Sequence, residues 1–254
     1  AQLPFKLIRA ILADVNHEMR AARFFTASRG HRSTPTMKEK TDAPEVHLAP
    51  AEEGHVDEIP DLVFSTGRAV YGYIFGSDRK FFDVFIRRSW MDANSLHSMA
   101  DTTAALSGDE LMGIELGYSG DRYYELRKSS GSVSKAMLAS NDTTPEDLQG
   151  IANRSYKNDF QIPRVPNNAY YIMALAVKED SRGLGLGAKL LNNAIDRARK
   201  EGCRTLHLDV LSDNPAVDFY KRMGLTCMAE TSVPELDQHH GVPAEYRMVL
   251  DLEN

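Results

Sequence analysis

Apolar positions along the chain change their period several times, and each change predicts an element. Leu7, Ile8, Ile11, Leu12, Val15 and Met19 recur at helical spacing near the start, and Arg29–Lys40 then reads as a polar linker containing Pro35. Glu45–Ala51 can form a short strand, and Glu52–Phe75 alternates apolar clusters with charge as surface helices do. Phe82, Val84, Phe85 and Trp90 mark a further helix over Phe81–Trp90. Met99–Leu106 and Leu111–Tyr118 are separated by Ser107, Gly108 and Asp109, the pattern of two strands joined by a tight turn. In the second run Met112, Ile114 and Leu116 alternate with Gly113, Glu115 and Gly117, which predicts a half-buried strand.

The second half of the chain is more regular. Thr144 can cap a helix that has Pro145 at its first position and ends before Pro163. Ala169–Val177 carries no polar group other than tyrosine hydroxyls, which predicts a central strand covered on both faces. Leu190, Leu191, Ala194, Ile195 and Ala198 then share one face of a helix that Gly202 stops. Leu206, Leu208 and Val210 alternate with Thr205, His207 and Asp209 in a strand expected beside the earlier one, completing a strand–helix–strand unit. A short helix over Pro215–Met223 ends at Gly224, and two closing strands, Leu225–Glu230 and Glu245–Leu252, are linked by a loop rich in Pro and His. No internal repeat interrupts this order.

Charge separates the beginning from the rest, because residues 1–36 hold six Lys/Arg and two Asp/Glu within 254 residues of formal charge −6. An Arg-rich, acid-poor start fits a transit peptide, but the plainer reading is an amphipathic helix packed on the body or on a second subunit, so a homodimer is an open expectation. The chain as a whole has no basic excess for a nucleic-acid backbone, which argues against a nucleic-acid partner. Cys203 and Cys227 are the only cysteines, fitting a reducing, cytoplasmic compartment and providing neither a disulfide framework nor a four-ligand zinc cluster. No stretch approaches the roughly 18 apolar residues of a transmembrane helix. Even Leu3–Val15 is interrupted by Lys6, Arg9 and Asp14, so no membrane partner is expected.

The candidate chemistry lies between Val177 and the helix expected to start near Ala188. The loop Lys178-Glu179-Asp180-Ser181-Arg182-Gly183-Leu184-Gly185-Leu186-Gly187 sets three alternating glycines at a helix N-terminus. Such a loop lets backbone amides approach a diphosphate, with the positive end of the helix adding a favourable field; it can also be a turn that merely needs positive φ. A P-loop is excluded because no Gly-Lys-Ser/Thr follows. A dinucleotide fingerprint needs its third glycine one residue later, where Ala188 stands, although Asp209 could imitate the acid that binds a ribose.

Arg182-x-x-Gly185-x-Gly187, directly after Leu175-Ala176-Val177, resembles the R/Q-x-x-G-x-G/A motif of the GNAT superfamily of acyl-CoA N-acyltransferases. Pro215–Leu225, with its Phe219-Tyr220 pair and Gly224, resembles that family's second motif, Leu225 standing where Phe is usual. The resemblance covers about residues 169–228. It implies an α/β (α+β) fold: a mixed, mostly antiparallel central sheet flanked by helices over residues 45–254, preceded by a helical N-terminal extension and linker over 1–44. It further implies acetyl-CoA as co-substrate, no metal, and acetyl transfer to a primary amine of a small molecule or peptide. A non-catalytic CoA-binding module and a nucleotide-binding oxidoreductase remain the alternatives.

By the same resemblance, the strand at Leu175, Ala176 and Val177 splays from its neighbour and offers backbone groups to pantetheine. Amides of Arg182, Gly183, Leu184, Gly185, Leu186, Gly187 and Ala188 hold the diphosphate, with Lys189 or Lys221 near the 3′-phosphate. Asn214 sits one residue from the family's usual Asn, at Asp213, and is the chosen polar contact; both can instead cap the next helix. Tyr220 matches the tyrosine that protonates the leaving thiolate, against the plainer reading of a core aromatic. For the amine side, Glu115, Asp209 and His207 are candidate bases, and alternation alone does not tell which faces the cleft. Tyr71, Tyr73 and Phe75 fall where the family builds its acceptor pocket, whereas His239-His240 lacks a third spaced ligand and reads as solvated.

Overall fold

The run expected as a half-buried strand lies inside a seven-stranded sheet and is buried along nearly its whole length, which corrects that expectation. The computed structural model describes residues 46–76, 79–129 and 131–253, so the extension and its helix lie outside the described residues. Strands β1 (Val46–Pro50), β2 (Thr102–Ser107), β3 (Glu110–Ser119), β4 (Ala169–Val177), β5 (Thr205–Leu211), β6 (Thr226–Thr231) and β7 (Glu245–Asp251) are ordered β1-β2-β3-β4-β5-β7-β6. Only β4 and β5 are parallel. The sheet is therefore mixed and mostly antiparallel, as expected, and is not the doubly wound parallel sheet of a dinucleotide-binding domain.

Helices α1 (Ile59–Thr66), α2 (Arg68–Phe75) and α3 (Arg79–Met91) precede the β2–β3 hairpin. Helices α4 (Gly120–Ser129), α5 (Gly131–Ala139) and α6 (Pro145–Asn158) separate β3 from β4. The α6 start follows its sequence signal: Thr144 Oγ1 accepts from the Asp147 amide at 3.1 Å while Asp147 accepts from the Thr144 amide at 3.2 Å. This reciprocal cap contributes about 1 kcal/mol.

Helix α7 (Leu186–Lys200) crosses between β4 and β5 and lays Leu191, Ala194, Ile195 and Ala198 on Tyr170, Ile172, Leu206 and Leu208. It also covers the Gly113–Glu115–Gly117 side of β3, which is why that side is not solvated. A Cβ on Gly117 would stand 2.4 Å from Glu115 Oε1 and 2.6 Å from the Tyr170 ring, so only glycine leaves room for the buried carboxylate and its partners.

Helix α8 (Ala216–Arg222) follows β5, and α9 (Pro234–His240) occupies the Pro- and His-rich stretch expected to be a loop. Pro234 at the first position and Leu236, fully buried against Val70, Leu211 and Val242, explain why a helix forms there. Met99–Asp101 is a 3-10 turn ahead of β2 rather than part of it, with Ser98 Oγ accepting from the Ala100 amide. No helix among the described residues is long and apolar enough to cross a membrane.

Candidate functional site

The β4–β5 ladder runs from Ala169 opposite Thr205 to Ile172 opposite Leu208 and stops there. On its other edge β4 stays paired with β3 as far as Val177 opposite Gly113. The register skips Met173, since Leu116 faces Ala174 and Gly117 faces Ile172, so Met173 is the extra residue of a β-bulge. A bulge bends its strand and raises the local twist. Beyond it, Met173–Val177 and Asp209–Leu211 have no ladder between them, and a cavity of about 1710 Å³ opens over both segments. Leu175, Ala176 and Val177 all line it.

The glycine loop lies at the end of β4. Gly183 and Gly185 have φ of +83° and +77°, a conformation that a β-branched side chain strongly resists, so the glycines answer a backbone need. Gly185 caps α7, which begins at Leu186, two residues before the expected start. Leu186, Gly187 and Ala188 thus form the first turn of the helix, where amides lack intrahelical acceptors; the first bond into the helix runs from the Lys189 amide to the Gly185 carbonyl. Gly187 differs from the other two glycines, as a Cβ there would make ordinary contact with the Phe219 ring at 3.5 Å. Gly183, Leu184 and Gly185 are exposed. Arg182 lines the cavity, and its guanidinium makes no ion pair among the described residues. Lys189 donates to the Val46 carbonyl and so ties α7 to β1, while Lys221 is exposed on α8.

Tyr220 is buried on α8 with its side chain at the cavity, and burial pushes its hydroxyl up to about 12, so it stays protonated at neutral pH. Asn214 and Asp213 also line the cavity. The Asn214 Oδ1 accepts from the Ala216 amide at 2.9 Å, an Asx turn that leads into α8 and leaves the side-chain amide nitrogen outside that bond.

The three candidate bases separate. Glu115 lies under α7, accepting from Tyr170 at 3.0 Å and Arg197 at 3.2 Å, away from the cavity. His207 pairs with Thr205 Oγ1 at 2.9 Å, is pushed down to about 4 by burial and then by Arg247, and does not line the cavity. Asp209 does line it, but Arg247 donates to both its oxygens at 2.6 and 2.8 Å and Tyr171 adds a third bond at 2.9 Å. Of the expected acceptor aromatics, Tyr71 and Phe75 line the cavity, whereas Tyr73 turns to the His240 ring at a centroid distance of 4.6 Å.

Sequence reasoning passed over three buried polar residues at the cavity: His97, Asn158 and Glu245. The His97 Nε2, Asn158 Oδ1 and Glu245 Oε2 have no hydrogen-bond partner among the described residues. Burial lowers His97 to about 4, keeping it neutral, and burial with the nearby Asp209 charge raises Glu245 to about 8. The signal available for Glu245 was its alternation with Arg247 in the closing strand, because two neighbouring charges on one face of a buried strand need partners or a task.

Residues 132–225 match the model of the Acetyltransferase (GNAT) family. A stretch of 54 residues is 44% identical to an uncharacterized N-acetyltransferase of Methanocaldococcus jannaschii, covering 21% of this chain and 24% of that protein. The chain thus matches about a quarter of that relative's length. Among solved structures, an acetyltransferase superposes with a TM-score of 0.59 at 17% identity over 81% of this chain and 99% of its own. An N-acetyltransferase from Staphylococcus aureus Mu50 gives 0.58 at 17% identity over 80% and 100%. At that identity the likeness is one of fold.

Proposed function

Residues 132–225 carry a domain of the GNAT acetyltransferase family, and from that premise we propose that the protein is an acyl-CoA-dependent N-acyltransferase, moving an acetyl group to a primary amine of a small molecule or peptide. The observation that carries this reading is the interrupted β4–β5 ladder, which leaves a strand edge facing a cavity beside a glycine-rich helix start. The residues present suit the co-substrate. An extended amide-bearing arm can complete the free edge of β4 at Leu175, Ala176 and Val177 by strand addition. Amides from Arg182 through Ala188, the positive helix end and the unpaired Arg182 guanidinium suit a diphosphate. The Asn214 side-chain amide nitrogen can donate to the same ligand.

Acetyl-CoA, when bound, supplies an activated acyl carbon and a thiol leaving group of pKa near 8.5. Tyr220 is the general acid in this reading: the residue lines the cavity, its hydroxyl is protonated at neutral pH, and a donor at this site eases departure of sulfur.

The catalytic unit is residues 45–254, preceded by an extension and linker over 1–44, of which residues 1–36 serve packing or assembly, a homodimer included. A net charge of −6 supports a small-molecule or peptide acceptor over nucleic acid, and the two free cysteines support a reducing, cytoplasmic setting. The test is thiol release from acetyl-CoA across amines, polyamines, amino acids and peptides. The reading predicts release that depends on an added amine. Tight CoA binding with no amine-dependent release across the panel would favour a non-catalytic CoA-binding module, and binding of NADH in place of acetyl-CoA would favour an oxidoreductase.

A further inference from the structure

Glu245 opens β7 directly opposite Leu211, at the end of β5 where the seam with β4 is open. Glu245 lines the cavity, is 7% exposed, and its Oε2 has no partner among the described residues. An unpaired buried carboxylate oxygen is costly, so its persistence beside a cavity calls for a ligand. The obvious internal partner is already taken. Arg247, two residues along the same face, spends Nε and Nη2 on Asp209, Nη2 also on the Pro163 carbonyl and Nη1 on the Arg164 carbonyl.

The other groups that line the same cavity narrow the class of ligand. The Asn158 Oδ1 and Glu245 Oε2 are acceptors left without donors, so the ligand must donate. The cavity wall also includes Tyr71, Phe75, Tyr124 and Phe160, which favour an apolar body and offer the face of a ring to a cation, while its polar and basic members, Arg182 among them, suit the anionic end of the co-substrate. Resting on the acyltransferase reading, we propose that Glu245 receives the acceptor's ammonium and takes its proton, and that the acceptor is a primary alkylammonium carried on an apolar or aromatic body.

The protons balance. One passes from the ammonium nitrogen to Glu245 Oε2, freeing the lone pair that forms the N–C bond. Tyr220 gives its proton to sulfur as the C–S bond breaks and recovers one from the nitrogen. Glu245 then releases its proton to water, so each turnover frees one proton. The charged and titratable groups facing Glu245 are Asp209 from β5, Arg247 from β7, Tyr71 from α2 and Tyr171 from β4. Glu245, raised to about 8, carries its proton below that value, so it receives the ammonium in its ionised form, and amine binding and turnover rise with pH up to about 8.

The test uses the full chain, with 2-phenylethylamine as probe and 2-phenylethanol and spermidine as controls for ring without charge and charge without ring. In the presence of CoA, 2-phenylethylamine should raise the wild-type melting temperature beyond CoA alone, and more than either control. Glu245→Gln should keep the CoA shift, which certifies its folding, and lose the amine shift. With acetyl-CoA, Glu245→Gln should lose about 10²-fold or more in kcat/KM and the limb of the pH profile near 8. No stabilisation of wild type by 2-phenylethylamine, or equal stabilisation of Glu245→Gln, would overturn the inference. Amine binding through Glu245 without thiol release would uphold the ammonium site while sinking the transferase reading and the proton transfer that rests on it.

Discussion

The two faces of the central sheet each bury a carboxylate, and they treat it in opposite ways. Under α7, Glu115 is fully buried with both oxygens occupied, by Tyr170 and by Arg197, in a layer that the glycines of β3 make room for. On the other face Glu245 is nearly as buried, yet one oxygen is unpaired and its side chain meets a cavity. Desolvation raises both carboxyls, Glu115 to about 7 and Glu245 to about 8. Burial alone therefore does not distinguish a structural charge from a working one. The partners do: Arg197 gives the first face its internal neutralisation, whereas Arg247 is committed to Asp209 and the second face is left to be completed by a ligand.

Changes to the two faces should accordingly separate function from stability. The largest effect is expected from Gly185→Val. Its φ of +77° is one that a β-branched residue strongly resists, and the added bulk sits where backbone amides would meet a diphosphate. Thermal stabilisation by CoA should vanish in a protein that still folds; a folded variant with unchanged CoA stabilisation would contradict the cradle. Next, Tyr220→Phe keeps the ring and should lower kcat by about 10² to 10⁴ with CoA affinity within a few-fold. Wild-type turnover where chemistry limits would make the tyrosine structural.

On the sealed face, Arg197→Ala leaves Glu115 buried without its cation and should cost about 3 kcal/mol in unfolding free energy. CoA affinity should be unchanged, and adding Glu115→Gln should recover part of the loss. Denaturant titration with a parallel CoA titration checks both statements, and a large change in CoA affinity would erase the separation between the faces.

The smallest effect is a slope in stability with pH. Glu115 and Glu245 keep their protons in the folded chain between about 4.5 and their raised values of about 7 and 8, so folding binds protons there and stability falls as pH rises. His97 and His207, lowered from 6.5 to about 4, act in the opposite sense between those values, since the unfolded chain is the one that binds protons. The two pairs offset each other below about 6.5, leaving a decline from there to about 8. Glu245→Gln should flatten the upper part of that decline. Stability that rises over this interval would contradict the assignment.

Much of the fold was legible because its signals are local. The Thr144 cap, the Gly108 turn, the apolar run Ala169–Val177 and the stripe on α7 all follow from spacing within one element. The pair α4 and α5 was not legible. Both begin at glycine, and α4 is held by distant partners, through Arg127 to Asp159 at 2.8 Å and Tyr124 to the Val165 carbonyl at 3.0 Å. The polar side of β3 was misjudged for a related reason: nothing within Leu111–Tyr118 reveals that Arg197, from a helix much later in the chain, closes over Glu115. At the site, the glycine loop and Tyr220 were readable from their motifs. The Met173 bulge left no trace in a strand that is apolar on both faces, and Glu245 gains its meaning from neighbours on β5 and α2.

The central claim is that the open part of the β4–β5 seam is completed by acyl-CoA. Amide hydrogen exchange on the full chain, with and without CoA, tests it most directly. The account predicts slowed exchange in Met173–Val177 and in Arg182–Ala188, with Tyr170–Ile172, already paired on both edges, unchanged. Bound CoA that leaves Met173–Val177 exchanging as before, or NADH producing the same protection, would contradict it.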